Sequence, residues 1–506
     1  MAFDNIPLLS TLIWLPIFGS IPVAMFNRAE RANRARVLAL LIALVSLMFC
    51  IPLYVTFDTT TAAMQFTEHF NWIPILKINY DIGVDGISMP LILLTCFTTF
   101  LVILASWKMV KKKVGYYLAI FLVMQGTIIG AFSSLDAMLF YFFWEAMLIP
   151  MYLSIGIWGM EKRSYAAIKF FLYNFLGSGL LLISLLYLHI HSGSFYILSY
   201  YHLHMSIAIQ ILVFLGFLIS FAIKVPMWPF HTWLLDTHTE APIGGSVVLA
   251  TLMLKLGSYG FLRFSLPIIP DASNYLDWLM IVLSLVAIIY IGFIAIAQTD
   301  MKKLVAYSSV AHMGFVTLGA FMLFVIVAHT GSRKDAYLSL EGAMMQVISH
   351  SFSAGAMFLG FSMLYQQLHS RHIRDFGGIA KTMPCFAAFF MVFAMSDIGL
   401  PGTSGFVGEF MILLSTFKAS FWVTFLAAST LLIGATYTLW MYKRVFFGPI
   451  THPAVAQLKD IDLSGTVIFI LLASAIVWIG IYPNALLNVF HASIDNLLYE
   501  VLQPRL

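Results

Sequence analysis

Apolar runs of about 20 residues recur along almost the whole chain, each long enough to cross a hydrocarbon core of about 30 Å as an α-helix. No other feature constrains the fold so strongly, because within a bilayer every backbone N–H and C=O must be satisfied inside a helix or a closed barrel. The sequence therefore predicts an all-α polytopic membrane protein. Composition agrees: 61% of the 506 residues are hydrophobic and 10% are charged, a balance foreign to soluble domains. About 14 spans are predicted, near 6–26, 37–57, 86–106, 115–133, 137–158, 165–190, 205–230, 243–266, 275–297, 302–328, 337–368, 384–416, 421–446 and 463–485. The opening MAFDNIPLLS lacks a basic start and a small-residue cleavage site, so the first run is expected to be a retained span.

An even number of spans puts both ends on one side, and alternate loops can then be compared for positive charge. One set holds Arg28, Arg31, Arg34, Arg36, Lys108, Lys111 to Lys113, Lys162, Arg163, Lys169, Lys302, Lys303, Arg371, Arg374, Lys381, Lys443, Arg444 and Lys459. The other holds only Lys77, Arg263, Arg333, Lys334, Lys418 and Arg505. Basic residues concentrate in cytoplasmic loops, so both termini are expected on the outer, periplasmic side. The same asymmetry accounts for the net charge of +4 without invoking nucleic acid. Cys50, Cys96 and Cys385 are widely separated and form no CxxC pair. They support neither an iron-sulfur centre nor a zinc site. No GxGxxG opens a helix after a strand, so neither dinucleotide binding nor electron transfer is expected of this chain.

Ionisable residues inside spans are costly, about 2.5–3.5 kcal/mol at mid-depth on insertion scales, and mark functional sites. The stretch 221–264 places Lys224 and Lys255 in apolar surroundings and breaks the intervening helix at Pro226 and Pro229. Glu145 follows Tyr141 by one turn in LFYFFWEAMLIPMYL. Lys224 has Ser220 at i−4, and Lys255 shares a face with Thr251, Ser258 and Tyr259. His312 follows Ser308, and His350 lies between Gln346 and Ser353. Glu409 follows a second break in SDIGLPGTSGFVGEF, which holds Gly399, Pro401, Gly402 and Gly405. A third interruption is considered in 337–368, where Gly342, Gly355 and Gly360 surround His350 without a proline. Broken backbone at membrane depth must be buried in protein or line a wet cavity. Paired breaks in corresponding places of two halves point to inverted repeats, here spans four to eight and nine to thirteen.

Desolvation brings the charged and neutral forms of lysine and carboxylate closer in energy, so either group can change protonation during turnover. Histidine titrates near neutrality unaided. These residues thus form a plausible proton chain. Plainer readings stand beside it: a static Glu145–Lys224 pair, a snorkelling Lys255, core histidines, and Glu409 as a helix cap. His231, Asp236, His238 and Glu240 have no recognisable zinc spacing.

VDGIS at 84–88, VPMWPFHTWLLDTHTEAP at 225–242, QTDMKKLVAYSSVAHMGF at 298–315 and PGTSGFVGEF at 401–410 resemble the antiporter-like subunits of respiratory complex I. The resemblance covers nearly the whole chain. It implies a fourteen-helix fold with two inverted five-helix repeats, broken near Pro226 and Pro401, and a central polar axis. It implies N-terminal helices over 1–114, a first repeat over 115–266, a second over 267–447, and a last helix and tail over 448–506. Glu145 matches a fifth-helix glutamate that interacts with the broken-helix lysine, Lys224. Lys255 matches the central lysine, and His312 and His350 match histidines leading toward the terminal Glu409. Sibling subunits usually carry lysine at the position of Glu409, and the short tail after Tyr482 differs from the long lateral helix of the largest sibling.

The implied function is proton translocation coupled to NADH oxidation and quinone reduction in partner subunits. No cofactor or metal is expected in this chain, whereas the assembled complex is expected to use FMN, iron-sulfur clusters and quinone in other subunits. Expected partners are other membrane-arm subunits, including sibling antiporter-like subunits, and the lipid bilayer. The expected location is the bacterial inner membrane, with the mitochondrial inner membrane as the alternative. A cation/proton antiporter subunit of the multisubunit Mrp type is the alternative function, and a structural subunit with inert buried charges is a third.

Overall fold

The computed structural model describes residues 7–450 and 452–506. Helices α1 (Leu8–Met25), α2 (Ala32–Val55), α3 (Ser88–Met109) and α4 (Val114–Ser133) open the chain. They are followed by α5 (Ala137–Trp158), α6 (Arg163–Ser192) and the interrupted α7, whose halves are Ile207–Lys224 and Thr232–Glu240. Next come α8 (Ile243–Ile268), α9 (Asp277–Ile296), α10 (Met301–Thr330) and α11 (Arg333–Leu368). The interrupted α12 comprises Pro384–Ile398 and Ser404–Ala419, and α13 (Phe421–Phe446) and α14 (Leu463–Ile481) complete the bundle. Among the described residues, thirteen helices are long and apolar enough to cross a membrane. The shorter apolar Pro384–Ile398 begins the remaining crossing expected from the sequence.

Burial sorts the helices into a core and a rim. The most apolar windows of α8, α10 and α11 are 100%, 89% and 94% buried, against 28% for α2 and 33% for α14. The enclosed helices are those carrying Lys255, His312 and His350. Rim helices instead turn large apolar side chains outward, as Leu432 and Trp422 do, which suits contact with lipid.

Both expected breaks are present. In α7 the peptide bonds before Pro226 and Pro229 are cis. The carbonyl of Ile223, left without a helical donor by the break, accepts from Trp233 Nε1 at 2.9 Å. In α12, Gly399 takes a left-handed φ of 81°, a conformation open to glycine without strain. A Cβ on Gly405 would sit 1.9 Å from the Ser396 carbonyl oxygen, so this glycine permits the second half-helix to pack on the end of the first.

The third interruption is absent: α11 is continuous over Arg333–Leu368. Its glycines serve close packing instead. A Cβ on Gly342 would meet Ile412 at 2.9 Å, and one on Gly355 would meet Thr251 at 2.6 Å, as expected where small residues bring membrane helices together. The interruption lies instead in α8, where Leu249–Met253 and Phe261–Ser265 form two π-helical turns on either side of Lys255. Such turns free backbone groups and recur at functional sites. The Thr251 carbonyl here accepts from Ser351 Oγ at 2.9 Å.

Two elements escaped the sequence reading. Residues between α2 and α3 form an antiparallel hairpin of β1 (Gln65–Ile73) and β2 (Ile78–Val84). Beyond Pro483 the tail is helical, α15 (Asn484–Val501), burying Val489, Phe490, Ser493, Ile494, Leu497 and Leu498 along one face. Ser493 Oγ accepts from Gly86 N at 2.8 Å, fastening α15 over the start of α3.

The basic loops meet at one end of the bundle. Arg36 donates to the Val110 carbonyl at 3.0 Å, and Trp158 donates to that of Lys112 at 2.8 Å. Arg371 pairs with Asp300 at 2.6 Å and with Glu240 at 3.5 Å, and Lys108 pairs with Asp462. The hairpin marks the other end: Leu9 N at the start of α1 donates to Glu68 at 3.0 Å. Two residues expected in loops are buried. Lys302 donates to the Ala241 carbonyl at 3.2 Å, and Arg263 pairs with Asp85 at 2.6 Å. Arg263 is neutralised by an acid distant in sequence and Lys302 is hydrogen-bonded to a distant carbonyl, partners that spacing along one helix does not reveal.

Candidate proton-relay site

Lys224 is the last residue of the first half of α7, where a cation suits the C-terminal end of a helix dipole. It is 1% exposed, and its Nζ has no hydrogen-bond partner among the described residues. It lies 4.4 Å from the centre of the Trp144 ring, a cation–π distance. Trp144 is held in turn by a 3.1 Å bond from Nε1 to Ser178 Oγ. Glu145, the next residue, is half-buried, and its Oε1 has no partner among the described residues. The two charges are close enough to interact through space but do not form a contact pair. The helix turns at Met147 just beyond Glu145, where Pro150 cannot donate to the Ala146 carbonyl.

The break in α7 lies against α8. A Cβ on Gly257 would stand 2.8 Å from Val225 N, so glycine there lets the α8 backbone approach the broken segment closely. Two residues earlier, Lys255 is fully buried. Its Nζ lies 2.6 Å from His350 Nδ1 and 3.3 Å from Met313 Sδ. Lys255 does not snorkel; it reaches inward from α8 to α11.

The His350 and His312 ring centres are 5.7 Å apart. His312 Nδ1 is 2.8 Å from Glu409 Oε1, which also accepts from Gln346 Nε2 at 2.9 Å. Glu409 lies beyond the first turn of Ser404–Ala419, so its carboxylate faces the histidine instead of capping the half-helix. Gly408 makes this approach possible, since a Cβ there would lie 2.6 Å from Gln346 N. The structure thus gathers Lys255, His350, His312 and Glu409 from α8, α11, α10 and α12 into one buried row, with Lys224 and Glu145 across α7 and α5.

The sequence reading missed Asp397, although it lies inside the quoted SDIGLPGTSGFVGEF. Its Oδ1 is 3.3 Å from His312 Nε2, and its Oδ2 accepts from Thr438 Oγ1 at 3.0 Å. It also missed the Asp85–Arg263 pair, with Arg263 Nε donating to Tyr259 Oη at 3.2 Å and Tyr259 Oη donating to the Phe132 carbonyl at 3.2 Å. An acid within an apolar segment next to a glycine break was the available signal for Asp397. The possible ligands around α7 find separate partners: Asp236 pairs with Lys169 at 2.7 Å, Glu240 accepts from Lys162 N, and His238 stacks on Phe358.

Two family profiles cover most of the chain: NADH:quinone oxidoreductase/Mrp antiporter, TM, over residues 134–434, and NADH-ubiquinone oxidoreductase chain 4, amino terminus, over 11–132. The chain belongs to the NADH:quinone oxidoreductase/Mrp antiporter family. Within it, the chain is 40% identical to NADH-quinone oxidoreductase subunit M of Rickettsia bellii, over 98% of this chain and 99% of the relative. It is 41% identical to subunit M of Rhodobacter capsulatus, covering 97% of this chain and 96% of the relative. It is 39% identical to NADH-ubiquinone oxidoreductase chain 4 of Chondrus crispus, over 97% of each. Its fold is similar to a chain of respiratory complex I from Thermus thermophilus with bound NADH, with a TM-score of 0.87 and 27% identity, covering 98% of this chain and 100% of that one. A chain of the Mrp complex from Dietzia shares the fold at a TM-score of 0.81 and 18% identity, covering 96% of this chain and 52% of that one.

Proposed function

We propose that the chain is a proton-translocating membrane subunit of NADH:quinone oxidoreductase, moving protons through Glu145, Lys224, Lys255, His350, His312 and Glu409. The observation that carries this reading is the row of near contacts from Lys255 Nζ to His350 at 2.6 Å and from His312 to Glu409 at 2.8 Å. Each group can gain or lose a proton, and all but the half-buried Glu145 are enclosed by the protein. Ser220 Oγ, Ser258 Oγ and His350 Nε2 are buried without protein partners among the described residues. Such atoms are ordinarily satisfied by ordered water, which also serves to carry protons between side chains.

Moving one proton against 100 mV costs about 2.3 kcal/mol, so the driving energy must come from redox chemistry in partner subunits. FMN, iron-sulfur clusters and quinone belong to those subunits in this reading. Neighbouring membrane-arm subunits, sibling antiporter-like chains included, surround this one in a bacterial or mitochondrial inner membrane. The basic end faces the cytoplasm or matrix, and both termini face the opposite side. Helices α4–α8 over 115–266 and α9–α13 over 267–447 form two inverted repeats between the segments 1–114 and 448–506. The presence of a break in the fourth helix of each set supports this arrangement.

The test is NADH-driven proton uptake in membrane vesicles carrying Lys224→Ala or Glu145→Gln, with assembly measured in the same preparation. The expected result is an assembled complex in which quinone reduction and pumping fall together. Wild-type levels of both in the assembled variants would refute the role of this pair. Sodium-for-proton exchange by the isolated chain without NADH would favour the antiporter function instead.

A further inference from the structure

His312 is flanked on both ring nitrogens by carboxylates from the two halves of one broken helix. Glu409 Oε1 stands 2.8 Å from Nδ1, and Asp397 Oδ1 stands 3.3 Å from Nε2. All three side chains are at least nine-tenths buried. A neutral imidazole has only one N–H and cannot donate to both acids. With Nδ1 bonded to Glu409, His312 Nε2 and Asp397 Oδ1 face each other with neither atom hydrogen-bonded among the described residues, and a second proton, on the ring or on Asp397, would fill that gap.

Asp397 is poorly explained as a structural residue. It is the penultimate residue of Pro384–Ile398, and an anion near a helix C-terminus opposes the dipole. Lys224 holds the corresponding place at the end of the first half of α7. The oxygen of Asp397 facing His312 has no hydrogen-bond partner among the described residues. Its other oxygen is held by Thr438.

We infer that Asp397 is a second proton-holding carboxylate of the relay's terminal site, so that the electroneutral His312–Glu409–Asp397 cluster stores two protons where His312 and Glu409 alone would store one. The count follows from charge. With imidazole neutral and both acids ionised, the cluster carries −2; two added protons bring it to zero, the state favoured in a low-dielectric interior. Transfer to the second acid breaks the His312 Nε2–H bond and forms an O–H bond on Asp397 Oδ1. Imidazolium and carboxylate become imidazole and carboxylic acid, with no change in total charge. The inference rests on the proposed relay and adds a site to it.

The groups facing the cluster are Glu409 and Gln346 on one side of His312, Thr438 and the buried Tyr437 beside Asp397, and His350 with Lys255 behind it. The experiment compares assembled complexes carrying Asp397→Asn, Asp397→Glu, Glu409→Gln, the Asp397→Asn/Glu409→Gln double change, and Lys255→Ala. The readouts are the pH profile of NADH-driven pumping and pH-induced infrared difference spectra in the carboxylic-acid C=O region.

Asp397→Asn removes one negative charge beside the imidazolium and should move the alkaline limb of the pumping profile to lower pH by about one unit. It should also abolish a titrating carboxylic-acid band distinct from the one lost in Glu409→Gln, and Asp397→Glu should restore both properties. The double variant should lose more activity than the product of the two single losses. An unchanged profile and an unchanged carboxyl band in Asp397→Asn would overturn the inference, while loss of pumping in Lys255→Ala would leave the relay itself standing. Wild-type pumping in Lys255→Ala would instead remove the relay on which the inference rests.

Discussion

At the scale of single residues, buried charges fall into two kinds that respond differently to substitution. Arg263 and Asp85 are locked at 2.6 Å and braced by Tyr259. Removing one member of such a pair strands the other charge. Arg263→Ala is therefore expected to destabilise the fold by about 3–5 kcal/mol, seen as reduced assembly and earlier thermal inactivation. Lys224 is unlike this, because its Nζ has no hydrogen-bonded counter-charge to strand among the described residues. Lys224→Met should leave assembly and thermal stability near wild type while lowering NADH-driven pumping. If thermal stability collapsed along with activity, Lys224 would belong with Arg263 as a structural charge.

At the scale of elements, breaks and close helix approaches set the geometry that the charged groups use. Gly408 brings α12 against α11 so that Gln346 and His312 both reach Glu409. A larger residue must push these helices apart. Gly408→Val is expected to reduce pumping more than Gln346→Ala, which removes one hydrogen bond worth about 1.5–3 kcal/mol to a charged group. Equal effects would show that helix spacing is not what positions Glu409.

Much of this element-level geometry was legible in the sequence. Pro226, Pro229 and the SDIGLPG segment marked both breaks, since proline and left-handed glycine interrupt a helix locally. The π-helical turns around Lys255 left no such mark. The Thr251 and Arg263 carbonyls within them accept from Ser351 Oγ and Tyr201 Oη, side chains outside α8. Asp397 escaped for a related reason: its meaning comes from His312 on α10 and Thr438 on α13. The hairpin over 65–84 and the amphipathic α15 were hidden among spans because hydropathy registers continuous apolar length, not alternation or a single apolar stripe. Conversely, the glycines of α11 suggested a break, but they instead accommodate Ile412 and Thr251.

At the scale of the whole molecule, the proposed orientation rests on charge distribution and the proposed path on the enclosed helices. Lys112 sits at the basic end and Lys77 in the turn of the hairpin. With Cys385 replaced by serine, Lys112→Cys should react with a membrane-impermeant thiol reagent only from the cytoplasmic side, and Lys77→Cys only from the opposite side. Reversed labelling would invert the orientation without altering the fold. The three most enclosed helices, α8, α10 and α11, carry three of the four residues in the central row, and α12 adds Glu409 through its broken segment. The proposed path would thus lie within the protein, shielded from lipid, as buried ionisable groups require.

The central claim is that Lys255, at the meeting of α8 and α11, passes protons toward Glu409. The most direct measurement is NADH-driven proton pumping and quinone reduction in vesicles carrying Lys255→Ala, normalised to assembled complex. The account predicts full assembly with both activities falling together by at least about tenfold. Assembled Lys255→Ala complex that pumps and reduces quinone at wild-type rates would contradict it.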